Sequence, residues 1–379
     1  MILPLAAVVE PEDFLRIVTS VMSVFGVIAV GAICRTRNWL TKHADMSLAK
    51  LTANVLLPSL FLDRILGDES LDRLVTAWPP PVFGFVITSL GFLLAYQVAR
   101  LVGPRLGLHT KASQRAFALC AGVCNYGYIP LPLVQIFYPK AEVELILHNV
   151  GVDLALWSVG IAIVTGGRGL WAARGDGAKA EGSEGEKKTV HPASPAADPS
   201  DSPGQARRRF EPLLWGRRVR SVLPMVLSPP LIAVSIGLLL RASQLDAFVP
   251  TSLRNTVSWL AASSIPMGLL LSGAIIIDFV RAADWSGSKS VIAVAIGFRQ
   301  VLMPLVILAA ATWIAPTVDL QHVLILQAAM PSAIFPIVLV RLSEGDTATA
   351  LRVVLSTQLA AVVLIPLWMV TGAWWLGTF

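Results

Sequence analysis

The chain has 379 residues, 55% hydrophobic and only 14% charged, with a mean hydropathy of +0.69. That balance excludes an ordinary soluble domain and places the chain in the polytopic membrane class. The formal net charge of +6 does not point to a nucleic-acid partner. Most Lys and Arg residues lie in short loops and one linker between apolar stretches, where they set topology against the lipid bilayer.

A membrane helix needs about 20 mostly apolar residues. In chain order the stretches that qualify are 14–34, 48–67, 82–101, 116–137 and 145–165, then 221–241, 254–277, 290–314, 320–341 and 350–374. These predict an all-α polytopic membrane protein of ten transmembrane helices. The first nine residues lack a basic start and are followed by Glu10, Glu12 and Asp13, so the first span is expected to enter the membrane uncleaved. Loops carrying Arg35, Arg37 and Lys42, then Arg100, Arg105, Lys111 and Arg115, then Arg281 and Lys289, then Arg341 and Arg352 alternate with cation-poor loops. The positive-inside rule puts the cationic set in the cytoplasm of a multi-pass cell-membrane protein and both termini outside. Residues 166–220 read as a disordered cytoplasmic linker, rich in Gly, Ala, Ser, Pro, Glu and Lys. The expected divisions are a first five-helix repeat over 1–165, that linker, and a second five-helix repeat over 221–379. Five is odd, so the second repeat runs through the membrane inverted.

Prolines mark corresponding places in the two halves. Span two holds Pro58 and span seven Pro266; span four reads Asn125-Tyr126-Gly127-Tyr128-Ile129-Pro130-Leu131-Pro132 and span nine Met330-Pro331-Ser332-Ala333-Ile334-Phe335-Pro336. A proline in a helix removes a donor and clashes with the preceding turn. Hydrocarbon tolerates the freed backbone only where protein or a water-filled cavity satisfies it. Matching interruptions in two halves therefore predict broken helices four and nine at a transporter's binding site. The stretch from Leu48 to Leu62, the Asn125–Pro132 run, Met330-Pro331-Ser332 and Leu355-Ser356-Thr357 together resemble the auxin efflux carrier family, in order and spacing. The resemblance implies a fold related to bile-acid/sodium symporters, with spans four and nine crossing near the midplane and spans one, two, six and seven forming a panel. It also implies secondary transport of organic anions, small carboxylates among them, and a homodimer.

The candidate substrate- or ion-binding residues follow. Asn125, Gln327 and Ser332 are the polar side chains beside the breaks, with Tyr126, Tyr128 and the prolines Pro130, Pro132, Pro331 and Pro336 shaping them. Each amide has an alternative role as a cap on a broken helix end. Asp153 and Arg299 lie near the middle of spans five and eight, where a charge costs roughly 2.5–3.5 kcal/mol on insertion scales and needs a partner or a cavity. Either they pair and tie the repeats together, or Arg299 attracts the anion while Asp153 takes a proton or cation. Thr357, Gln358 and Gln97 are further polar groups at membrane depth, Gln97 as interhelical glue. The cysteines Cys34, Cys120 and Cys124 lack accompanying His or carboxylates, so no metal is expected. No cofactor is expected; H⁺ and Na⁺ stand as coupling ions, and a single intramembrane carboxylate favours proton coupling or uniport. There is no HExxH, GxSxG, GxGD or GxxxxGK[ST] pattern, which argues against an enzyme or an ATP-driven pump. An uncoupled carrier or channel, or a transporter-like sensor, stands as the alternative.

Overall fold

The computed structural model describes residues 11–67, 77–167, 228–283, 285 and 289–377. Helices account for all the regular elements among them, as a chain that must satisfy its backbone inside hydrocarbon requires. Before residue 168 these are α1 (Pro11–Thr36), α2 (Lys42–Leu51), α3 (Leu57–Gly67), α4 (Pro79–Leu101), α5 (Gly103–Leu106), α6 (Lys111–Gly122), α7 (Pro130–Phe137), α8 (Glu142–Ala155) and α9 (Ile161–Thr165). After residue 227 come α10 (Pro229–Ala242), α11 (Thr251–Ala282), α12 (Lys289–Gly297), α13 (Met303–Trp313), α14 (Val318–Ala329), α15 (Pro336–Leu342) and α16 (Thr347–Leu376). Single π-helical turns, Thr52–Leu56, Leu156–Gly160 and Phe298–Leu302, join α2 to α3, α8 to α9 and α12 to α13. Two of these turns stand just before Pro58 and Pro304, which cannot donate to the carbonyls of Asn54 and Gln300 four residues back.

Six of the resulting helices are long and apolar enough to cross a membrane: Glu12–Thr36, Pro79–Leu101, Pro139–Thr165, Thr251–Ala282, Lys289–Trp313 and Thr347–Leu376. They fall on predicted spans one, three, five, seven, eight and ten. Predicted span two is the α2–α3 run. Spans four and nine are each split into two shorter helices, and span six falls on α10, its first residues lying outside those described. The predicted linker, from residue 168 onward, also lies outside the described residues.

Two of the closest helix contacts are made by glycines. α1 lies along α11, where a Cβ on Gly31 would overlap the carbonyl oxygen of Leu270 and one on Gly273 that of Ile28. α4 lies along α8 in the same manner, Gly84 against the carbonyl of His148 and Gly151 against that of Pro81. Small residues let helix backbones touch where no hydrophobic effect drives helices together in lipid. α3 packs between α10 and α11, and α6, α14 and α16 pack among α4, α8, α12 and α13. The buried end of α1 is tied to α2 and α11 by Arg35, which pairs with Asp45 and lies 3.2 Å from Asp278. Exposed apolar side chains such as Leu239, Trp259, Trp313 and Val363 cover the outside of the bundle. Gln97 is among the exposed residues of α4 and makes no hydrogen bond among the described residues, so it is not the interhelical glue the sequence suggests.

Candidate functional site

The two broken helices meet at their breaks. α6 starts with Thr110 accepting from the Ser113 amide, and α14 with Thr317 accepting from the Leu320 amide. Both helices run for 12 residues and then turn extended, at Val123 and at Met330. α7 and α15 resume with Pro130 and Pro336 in their first positions, where a missing N–H costs nothing. Between the halves, residues 123–125 and 331–333 cross antiparallel. The Asn125 amide donates to the Pro331 carbonyl at 2.6 Å, and the Ala333 amide donates to the Val123 carbonyl at 3.1 Å. Freed backbone groups of one break thus satisfy those of the other.

Side chains behind the crossing lock it. Arg299, on the π turn and 1% exposed, donates to the carbonyls of Met330 and Gln327, both at 3.0 Å. A cation there complements the negative end of α14. The Ser332 amide donates to Thr357 Oγ1 at 3.3 Å, and Gln358 Nε2 donates to the Ser332 carbonyl at 2.9 Å. Cys124 Sγ donates to Gln327 Oε1 at 2.8 Å, Gln327 Nε2 to Asn149 Oδ1 at 3.4 Å, and Asn149 Nδ2 to the Tyr126 carbonyl at 2.7 Å. The Tyr126 hydroxyl then donates to Asp153 Oδ1 at 2.5 Å. Asp153 and Arg299 therefore do not pair: Asp153 accepts from Tyr126 and Arg299 donates to the two carbonyls, so the ion-pair reading of the sequence is not what the structure shows. Nor does Arg299 face an anion site, because its guanidinium is spent on helix-end carbonyls.

In front of the crossing lies a cavity of about 830 Å³. Of the predicted site residues, Asn125, Tyr126, Tyr128 and Asp153 line it. Pro130, Pro132, Pro331, Pro336, Gln327, Ser332, Thr357 and Arg299 do not; they shape or brace the crossing behind it. The lining is mostly apolar and aromatic, with Phe61, Phe85, Trp157, Phe279 and Phe335 around the two tyrosines. Among the described residues, Asp153 is the one formally charged side chain in it. Among the described residues the Asn125 side-chain amide has no hydrogen-bond partner, and the amides of Tyr126, Gly127, Tyr128 and Ile129 find no carbonyl. The donors left over in the lining thus belong to the loop of residues 125–128 that precedes α7, whose own first turn has prolines at 130 and 132 and a Leu131 amide bonded to Gly127.

The cavity extends toward the end of the bundle where α10 begins, since Ser158 and Ser228–Leu231 line it. At the opposite end Arg64 Nε is 3.1 Å from Glu142 Oε1, which also accepts from Gln135 at 2.6 Å. There the Arg16 guanidinium sits 5.6 Å from the Phe137 ring centre. The Tyr128 ring lies against Gly268, so closely that a Cβ there would overlap it. Sequence reasoning missed Asn54, Asn149 and Trp157 in the lining. Asn149 and Trp157 lie one turn either side of Asp153, a spacing that puts all three on one helix face, and that signal was readable. Asn54 sits in the π turn just before Pro58, which cannot donate to its carbonyl.

A search among curated proteins finds no match. Compared with known families, residues 16–369 match the family described as "Membrane transport protein", of auxin efflux carrier type. With crossed broken helices, a cavity in front of them and that match over most of its length, the chain belongs to this family of membrane transporters.

Proposed function

We propose that the chain is a secondary transporter that moves a small organic anion, a carboxylate with an apolar body, by alternating access around the crossing. The observation that carries this reading is the Asn125 side-chain amide, without a partner among the described residues, beside the Tyr126, Gly127 and Tyr128 amides that find no carbonyl, in a cavity lined by aromatic rings. A carboxylate there gains charge-assisted hydrogen bonds, while rings take up the rest of the molecule.

The ten-helix, two-repeat reading accounts for the fold. The paired architecture of α6–α7 and α14–α15, each a capped helix, an extended break and a proline-started helix, is what inverted repeats produce. α1, α3, α10 and α11, which pack on one another, would form the panel, and the remaining helices the crossing domain. With the positive-inside orientation, the predicted linker, 166–220, lies on the cytoplasmic side and the cavity faces inward. Arg64–Glu142, Arg16–Phe137 and Tyr128 against Gly268 then close the outside, each contact joining panel to crossing domain. The test is binding to the purified protein, read as thermal stability against carboxylates, amides and amines of one shape. Stabilisation by the carboxylate alone, lost in Asn125→Ala, is the expected outcome; equal stabilisation by all three would remove the anion from the reading.

A further inference from the structure

We infer that Asp153 is the proton-coupling group of this transporter: cargo anion and one proton enter the cavity together, the proton on Asp153. The inference rests on the organic-anion reading above and deepens it. An anion needs positive charge or neutral surroundings in an apolar site, and among the described residues no Lys, Arg or His lines the cavity. The basic side chain that the sequence offers, Arg299, has its donors on the Met330 and Gln327 carbonyls behind the crossing. What the cavity does contain is a carboxylate, Asp153, bonded by the Tyr126 hydroxyl. Two ionised carboxylates enclosed by Phe61, Phe85, Trp157 and Phe335 repel strongly at low dielectric, and one protonation removes that repulsion.

The surroundings leave Asp153 as the group to take the proton. Elements packed around the cavity face it with Asn54, Phe61, Phe85, Ser272 and Val338, none of them titratable. Tyr126 and Tyr128 are the other titratable side chains in the lining among the described residues. His148, on the same helix, is buried outside the lining, and the Cys124 thiol is directed to Gln327. A tyrosine hydroxyl both donates and accepts, so the Tyr126–Asp153 bond survives either protonation state. The step balances simply: Asp153 carboxylate takes one H⁺ from the water that enters with the cargo and returns it on the other side when the cargo leaves. A monocarboxylate is then carried without net charge.

The experiment is calorimetric binding of phenylacetate, phenylacetamide and phenethylamine, one apolar body with anionic, neutral and cationic heads. Titration in two buffers of different ionisation heat counts the protons taken up. The wild-type chain is expected to bind phenylacetate with uptake of one proton, its affinity falling about tenfold per pH unit once Asp153 is ionised in the free protein. Asp153→Asn is expected to bind it with no proton uptake and no such slope. Binding without proton uptake in the wild type, or an unchanged slope in Asp153→Asn, overturns the inference and leaves the anion reading standing. Binding of phenethylamine instead, lost in Asp153→Asn, or binding of none of the three, overturns the anion reading and this inference together. Should Asp153→Asn not fold, the wild-type proton count decides alone.

Discussion

Asn125 and Arg299 are both polar residues at the crossing, yet the structure assigns them opposite kinds of work. Asn125 spends its backbone amide on Pro331 and keeps its side chain free toward the cavity. Asn125→Ala is therefore expected to leave thermal stability nearly unchanged while weakening anion binding about 10- to 100-fold, the scale of one charge-assisted hydrogen bond. Arg299 holds two carbonyls at the end of α14. Arg299→Ala should cost roughly 2–3 kcal/mol of stability or more, seen as a lower unfolding temperature in detergent, with the folded fraction still binding cargo. A loss of binding without loss of stability would return Arg299 to the cargo site. From sequence, both residues were legible as polar groups at depth, but their partners were not. Arg299 meets backbone carbonyls, which any residue carries, so no side-chain pattern along the chain announces them.

At the scale of elements, the breaks were legible because proline chemistry is local: Pro130, Pro132, Pro331 and Pro336 dictate where helices must stop and restart. The bridge between residues 123–125 and 331–333 was not legible, since backbone pairing carries no sequence signature. Span two is marked by Pro58, yet nothing in its sequence announces the π turn that brings Asn54 to the cavity. The seating of Tyr128 on Gly268 joins two elements whose separate sequences give no hint of contact. Gly268→Ala is expected to wedge that joint and slow transport, and Tyr128→Ala in the same chain to relieve the clash. A double-mutant cycle on uptake rates measures the coupling, and simple additivity would mean the ring moves aside freely. The Arg64–Glu142 pair is partly exposed, so it is worth no more than about 1 kcal/mol. Arg64→Ala should favour the opposite opening enough to raise outside labelling of an Asn54→Cys probe several-fold; unchanged labelling would deny the pair a gating role.

For the whole molecule, hydropathy and charge distribution fix a multi-pass membrane protein, and the family match makes it a transporter. In the proposed reading, two packed groups of helices, a cavity reaching one end of the bundle and contacts closing the other are the parts that alternating access requires. The measurement that tests this most directly is uptake of labelled phenylacetate into proteoliposomes, with and without unlabelled phenylacetate inside. A carrier that rocks around the crossing gives saturable uptake, faster when cargo is present on the far side, and both properties collapse in Asn125→Ala. Flux that rises linearly with concentration and ignores cargo on the far side would contradict alternating access and make the cavity a pore.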